Sequence, residues 1–342
     1  MDERHLPVDE PAERDVRVIL ERAERPKDVV ASRVTPPGTP HRLTRNHRAH
    51  AGQAGVGGEQ QPAVTQNIQG CLGALGGHRC HRSHATQGRV PVRTPIRPRH
   101  HEPVTGSSDA TRHIDGIDPH PLLDVEQLRA IRFFGELDDE GWQVPTACPG
   151  WRRRDMLAHL ASSEDYNLST LDGTREAFIA RGVAAGAHDL DSFNDWGVRI
   201  HSDRSEADLL RELSEKSAAT RSGLRERGNG EIDTMAGPYP ARLQAFHLAF
   251  EAAIHNDDMD VPVTESERRQ RDLWRAATVR FMLEEASSPV ELCAEDDGTR
   301  VRASKTGDKA VFDDADLIRA ASGRLRDRAQ RYPPALVEAL RL

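Results

Sequence analysis

The sequence predicts an α+β protein: a four-helix bundle, then a small C-terminal α/β unit, behind a long N-terminal segment with no fold of its own. Three observations lead to this. Every Phe, Trp and Tyr lies after position 120, the first being Phe133, so the bulky apolar material of a core begins there. Four stretches with helical apolar spacing follow one another, as in a helix bundle. After a fifth helix come short strand-like runs separated by Asp-Gly and Thr-Gly turns.

Eleven of the sixteen histidines lie at or before His120, ten of them in the N-terminal segment, residues 1–118. Between Val30 and His101 there are ten arginines and one acid, Glu59. Such a stretch has too little apolar surface to offset the entropy of ordering the chain. It is therefore expected to be disordered, with room for a short helix near Asp15–Glu24. A stretch read from too early a start codon fits the same bias, and a basic arm touching nucleic acid is the alternative. Cys71, His78, Cys80, His81 and His84 cluster here, but without zinc-knuckle spacing or apolar residues to pack on a finger, so no zinc site is read.

The bundle is expected over residues 119–262. "PLLDVEQLRAIRFFGELDDEGW" brings Leu128, Ile131, Phe134 and Leu137 near one helical face. The loop "QVPTACPGW" breaks the helix with Pro145, Pro149 and Gly150. "WRRRDMLAHLASSEDYNLSTL" is the second helix, with Met156, Leu157 and Leu160 on its apolar side. A polar connection covers about 172–203. The third helix starts at Ser205 as N-cap and stops at Gly228. "PARLQAFHLAFEAAIHNDDMD" is the fourth. The C-terminal unit, 263–342, opens on "SERRQRDLWRAATVRFMLEEA". The strands "PVELCAE", "TRVRAS" and "KAVFD" follow, then the helices "DADLIRAASGRLRDRA" and "PPALVEALRL".

Composition excludes several classes. A formal net charge of −8 argues against a nucleic-acid binder as a whole. The most apolar stretch, "AFHLAFEAAI", falls far short of the roughly 20 residues of a membrane helix. The charged N-terminus lacks the apolar run of a signal peptide. Four scattered cysteines fit a reducing cytoplasm better than a disulfide scaffold.

Glu251 and His255 stand four residues apart, on one face of the fourth helix. His159 sits on the second. Two facing helices can aim these three groups at one point, and two imidazoles with one carboxylate form a common catalytic zinc set with an open fourth position. Nickel or iron would also accept them. On spacing alone, a solvated helix face and a hydrogen-bonded core histidine are the default readings. His247 lies eight residues from His255, about 12 Å along the axis, and is read as a lining residue. Asp155 and Asp258 are placed to orient the imidazoles, although solvated acids are the default for both.

"VPTACPGWRRRDMLAHLA" resembles the signature of the mycothiol-dependent maleylpyruvate isomerase family, a branch of the DinB-like metal-binding bundles. Trp142, Pro145, Thr146, Pro149, Gly150 and Trp151 match its loop, and His159 its first ligand. Glu251, His255 and Asp258 match its late helix, and Ser322, Gly323 and Arg324 its C-terminal signature. The resemblance runs from about Leu122 to the end. It implies zinc held by His159, Glu251 and His255, with mycothiol, a thiol of actinobacteria, as cosubstrate. A thiol bound to the cation loses its proton readily. The thiolate would add to the double bond of maleylpyruvate for cis–trans isomerisation, or transfer to another small electrophile. Arg324 is implied as the catalytic arginine that grips a substrate carboxylate. The expected partners are mycothiol and a small-molecule substrate, with no membrane or nucleic acid, in a monomer or weak dimer. Two other readings stand beside it: a non-enzymatic zinc-binding regulatory module, and a zinc hydrolase using metal-bound water.

Overall fold

A computed structural model describes residues 110–342, all within one compact unit. The helix expected near Asp15–Glu24 and the Cys71–His84 cluster lie outside the described residues. The helices are α1 (Pro119–Gly135), α2 (Asp139–Gln143), α3 (Arg153–Asp172), α4 (Arg175–Ala184), α5 (Leu190–Ile200) and α6 (Glu206–Arg227). A hairpin of β1 (Glu231–Thr234) and β2 (Gly237–Pro240) precedes α7 (Ala241–Asp258) and α8 (Glu265–Glu285). The antiparallel sheet β3 (Val290–Glu295), β4 (Gly298–Ala303) and β5 (Lys309–Phe312) follows in the order β3-β4-β5, then α9 (Asp314–Ala321) and α10 (Pro334–Ala339).

Helices α1, α3, α6 and α7 make the bundle. α1 packs on α7, α3 on α6, and α6 also touches α1 and α7. The termini obey local chemistry. Asp118 caps α1 by accepting from the His120 amide, with Pro119 at the first helical position. Ser205 caps α6, and Gly228 ends it, both as the sequence predicts. Thr264 and Glu267 form a capping box on α8.

The interior side of α1, with Leu123, Ala130, Ile131 and Phe134, is fully buried. One apolar core runs from Phe246 and Phe250 of α7 through Val279 and Phe281 of α8 to Val301, Phe312 and Leu317. It joins the sheet unit to the bundle. Within the segment expected to lack structure, Ala110–Ile114 forms a 3-10 helix against α8, and Ala110 and Ile114 are buried.

The structure corrects three expectations. Residues 172–203 are not a connection. They fold as α4 and α5, because Phe178, Ile179, Phe193 and Trp196 make a small core of their own with Met235. Gly182 belongs to it, since a Cβ there would fall 2.4 Å from the Phe193 ring. The hairpin β1–β2 has strands of four residues, too short to leave a periodic signal. "DADLIRAASGRLRDRA" is not one helix: α9 stops before Gly323, at φ +72°, and a 3-10 helix follows at Arg326–Arg331. Among the described residues no helix is long and apolar enough to cross a membrane.

Candidate metal centre

His159 projects from α3, and Glu251 and His255 from α7. One donor atom from each lies within 4.8 Å of the others. His159 and His255 are 2 % and 1 % exposed, with ring centroids 5.1 Å apart and edge-to-face. The structure thus assembles the three residues that the sequence predicted, from positions about ninety apart.

The proline-rich loop before α3 explains its own motif. Thr146 donates from its amide and its hydroxyl to the Trp151 carbonyl (2.9 and 3.0 Å), closing a tight turn that Gly150 permits at φ +85°. The turn sets the Trp151 ring 4.9 Å from the His159 ring. It also sends the Ala147 amide to the Asp258 carbonyl (2.8 Å) and buries Cys148. Trp142 stacks on Phe134.

Asp258 is not a solvated acid. It is 2 % exposed, and its Oδ2 lies 3.1 Å from His255 Nδ1 and 3.4 Å from Cys148 Sγ. Burial alone would raise its pKa. Bonds from Arg324 and His255 reverse that and hold the carboxyl well below the usual range. Asp258 is therefore an ionised acceptor for a proton on His255 Nδ1, the outer-partner arrangement that metal-bound imidazoles use. Asp155 does other work: its carboxylate accepts from the Arg152 amide at the start of α3.

A cleft of about 580 Å³, open solvent included, lies where α3 and α7 face each other. His159, Ser162, Ser163, Tyr166, Asn167, Phe193, Asn194, Gln244, His247, Leu248 and Glu251 line it. His247 lines the cleft as expected, with Nε2 held by Glu285 (2.9 Å) and Tyr239 (3.0 Å). Sequence reasoning missed Tyr166 and Asn167, although they follow His159 by seven and eight residues on one helical face. It missed Phe193 and Asn194 because α5 was read as a connection. A second cavity of about 470 Å³ shares Ser163, Asn167, Leu248 and Glu251 with the first. Arg324 is among the lining residues of neither.

Glu164 lines that second cavity. Burial pushes its pKa up to about 7, against bonds from Thr220 (2.6 Å) and Asn167, while the Glu251 charge adds to the rise. Its ordinary value is 4.5. The folded protein therefore holds this proton more tightly than the unfolded chain. The resulting stability is complete below pH 4.5 and is lost as pH rises through 7. At about 1.36 kcal/mol per unit the loss is at most ~3 kcal/mol. Chelator-treated Glu164→Gln should show a flatter stability profile between these limits; an unchanged slope in thermal melts would remove Glu164 as its source.

Two other clusters of potential ligands exist among the described residues. Cys148, His255 and Asp258 share His255 with the first site. In the trio Asp165, His201 and Glu212, the two carboxylates already hold the Lys216 ammonium, and Arg204 pairs with Glu212 at 2.7 Å. His159 and Glu251 of the first trio line the cleft. The donor chemistry of that trio fits a divalent cation.

Fold and site together give a helical bundle in which donors of His159, Glu251 and His255 meet beside a cleft. Residues 125–260, which span the bundle, match the family described as the mycothiol maleylpyruvate isomerase N-terminal domain. Two solved structures are similar at low identity. A crystal structure of a mycothiol-dependent maleylpyruvate isomerase is 15 % identical with a TM-score of 0.41, covering 61 % of this chain and 89 % of that one. A histidine-to-alanine variant is 14 % identical with a TM-score of 0.40, covering 60 % and 88 %. No curated protein matches.

Proposed function

We propose that this chain is a mycothiol-dependent isomerase or S-transferase in which zinc, held by His159, Glu251 and His255, activates the thiol toward a small electrophilic substrate. The observation that carries this reading is the convergence of those three donors beside a cleft, in a bundle that matches this family. A bound cation would supply one thing, stabilisation of thiolate over thiol at neutral pH.

The chain's own residues do the rest. Asp258 fixes the ring of His255. Trp151 covers one side of His159 and limits water there. Asn167, Asn194, Gln244, Ser162 and Ser163 offer neutral hydrogen-bonding groups to a polar ligand in the cleft. Neither lysine nor arginine lines it among the described residues. That favours the S-transferase branch, with an uncharged electrophile, over a dicarboxylate such as maleylpyruvate.

Calorimetric titration with mycothiol tests the reading. Zinc-loaded protein should bind the thiol and chelator-treated protein should not. Given mycothiol and a panel of electrophiles, it should form conjugates or isomers only when thiol is present. Turnover by water alone would support a hydrolase instead.

A further inference from the structure

The Ser322-Gly323-Arg324 sequence is a helix stop with a purpose. Gly323 takes the left-handed conformation just past α9. The Arg324 amide donates to the Arg319 carbonyl (2.6 Å) and the Gly323 amide to the Ala320 carbonyl (3.2 Å). These bonds form a Schellman-type cap, with glycine where any Cβ would be strained. The cap ends the helix and turns Arg324 toward the bundle.

There the guanidinium meets Asp258. Arg324 Nε donates to Asp258 Oδ1 at 2.6 Å and Nη2 to Oδ2 at 2.5 Å, a two-pronged grip. Nη1 donates to the Ser322 carbonyl at 2.6 Å. Oδ2 is also the acceptor facing His255 Nδ1. A continuous link therefore runs from the end of α9 through Arg324 and Asp258 to the imidazole of His255.

We infer that Arg324 is a positioning residue for the metal centre rather than a grip for substrate: it locks Asp258, and through it the ring of His255, and so ties the sheet unit to the ligand set. The inference rests on the metal reading above. Three features support it. The Nε–Nη2 edge of the guanidinium is matched by the buried carboxylate. A buried carboxylate without a cation partner would cost several kcal/mol, so Asp258 needs one. Arg324 is absent from the residues lining the cleft, where a substrate would be held.

The test measures zinc affinity by chelator competition and the visible absorption of the cobalt-substituted protein. The proteins are wild type, Arg324→Gln, Arg324→Lys, Asp258→Asn and the Arg324→Gln/Asp258→Asn double variant. Outer partners of metal ligands typically contribute 10–100-fold to affinity. Arg324→Gln and Asp258→Asn should each weaken zinc binding within that range and alter the cobalt spectrum. The double variant should be little weaker than either single one, because both break the same link. Arg324→Lys keeps the charge but not the fork and should fall between. This conservative variant also guards against a general folding defect, as do melts of the metal-free proteins. Wild-type affinity and an unchanged spectrum in Arg324→Gln, together with a raised KM for an acidic substrate, would overturn the inference and return Arg324 to the substrate. Absence of zinc binding in wild type would overturn the metal reading itself, which is a separable result.

Discussion

His159→Ala and His255→Ala should each lose stoichiometric zinc, falling from about one ion per chain to little above background. Each removes one of three donors, so the effect should exceed the 10–100-fold expected for outer partners. The structure supplies a sharp control. His247 sits on the same helix and lines the same cleft, but about 12 Å along the axis from His255. Its Nε2 is held by Glu285 and Tyr239. His247→Ala should therefore keep its zinc. Elemental analysis after gel filtration checks all three variants. Retention of zinc by both ligand variants would remove the proposed set, and loss in His247→Ala would mean that the site is drawn in the wrong place along α7.

The largest effect on stability should come from a different group. Arg271 of α8 makes a two-pronged pair with Glu126 of α1 (2.7 and 3.0 Å). Both residues are almost wholly buried. Glu126 also accepts from Asn256 Nδ2 at 2.9 Å, and Arg271 reaches Asp257 and the Ala253 carbonyl. These partners flank His255, so the network fixes the very turn of α7 that carries the candidate ligand. Arg271→Ala would leave the buried Glu126 with only the more distant Arg129 (3.8 Å) as a cationic neighbour. Breaking a buried pair from one side typically costs about 3–5 kcal/mol. For a folded part of this size that lowers Tm by roughly 10 °C. Replacing both partners, as in Glu126→Leu/Arg271→Met, should recover much of the loss, because no lone charge remains. A single variant that melts like wild type would show that water reaches the pair and that its burial has been overstated.

The contrast between these two sites shows what a sequence can disclose. Helical spacing put Glu251 and His255 on one face, but the proline-rich loop and late-helix motifs, through their resemblance to a known family, are what singled out His159, Glu251 and His255 as a set. The bundle helices and the three strands of the sheet were legible from periodicity itself, each carrying its period over a full element. Glu126 was not. In the sequence it is one polar residue in an amphipathic helix, and its burial depends on an arginine 145 positions away. Asp258 was read as a surface acid because its partner Arg324 is 66 positions off. Helices α4 and α5 were read as a linker because they are short and their Phe178, Phe193 and Trp196 bury against one another, outside the main core. Long periodic elements announce themselves, whereas pairings across the fold do not.

The central claim is that His159, Glu251 and His255 hold a metal ion. Elemental analysis of the purified wild-type protein, after dialysis against buffer without chelator, tests it most directly. The account predicts about one zinc per chain, removed by a strong chelator and restored by adding zinc back. Protein that carries no divalent metal and takes up none when zinc is supplied would contradict it.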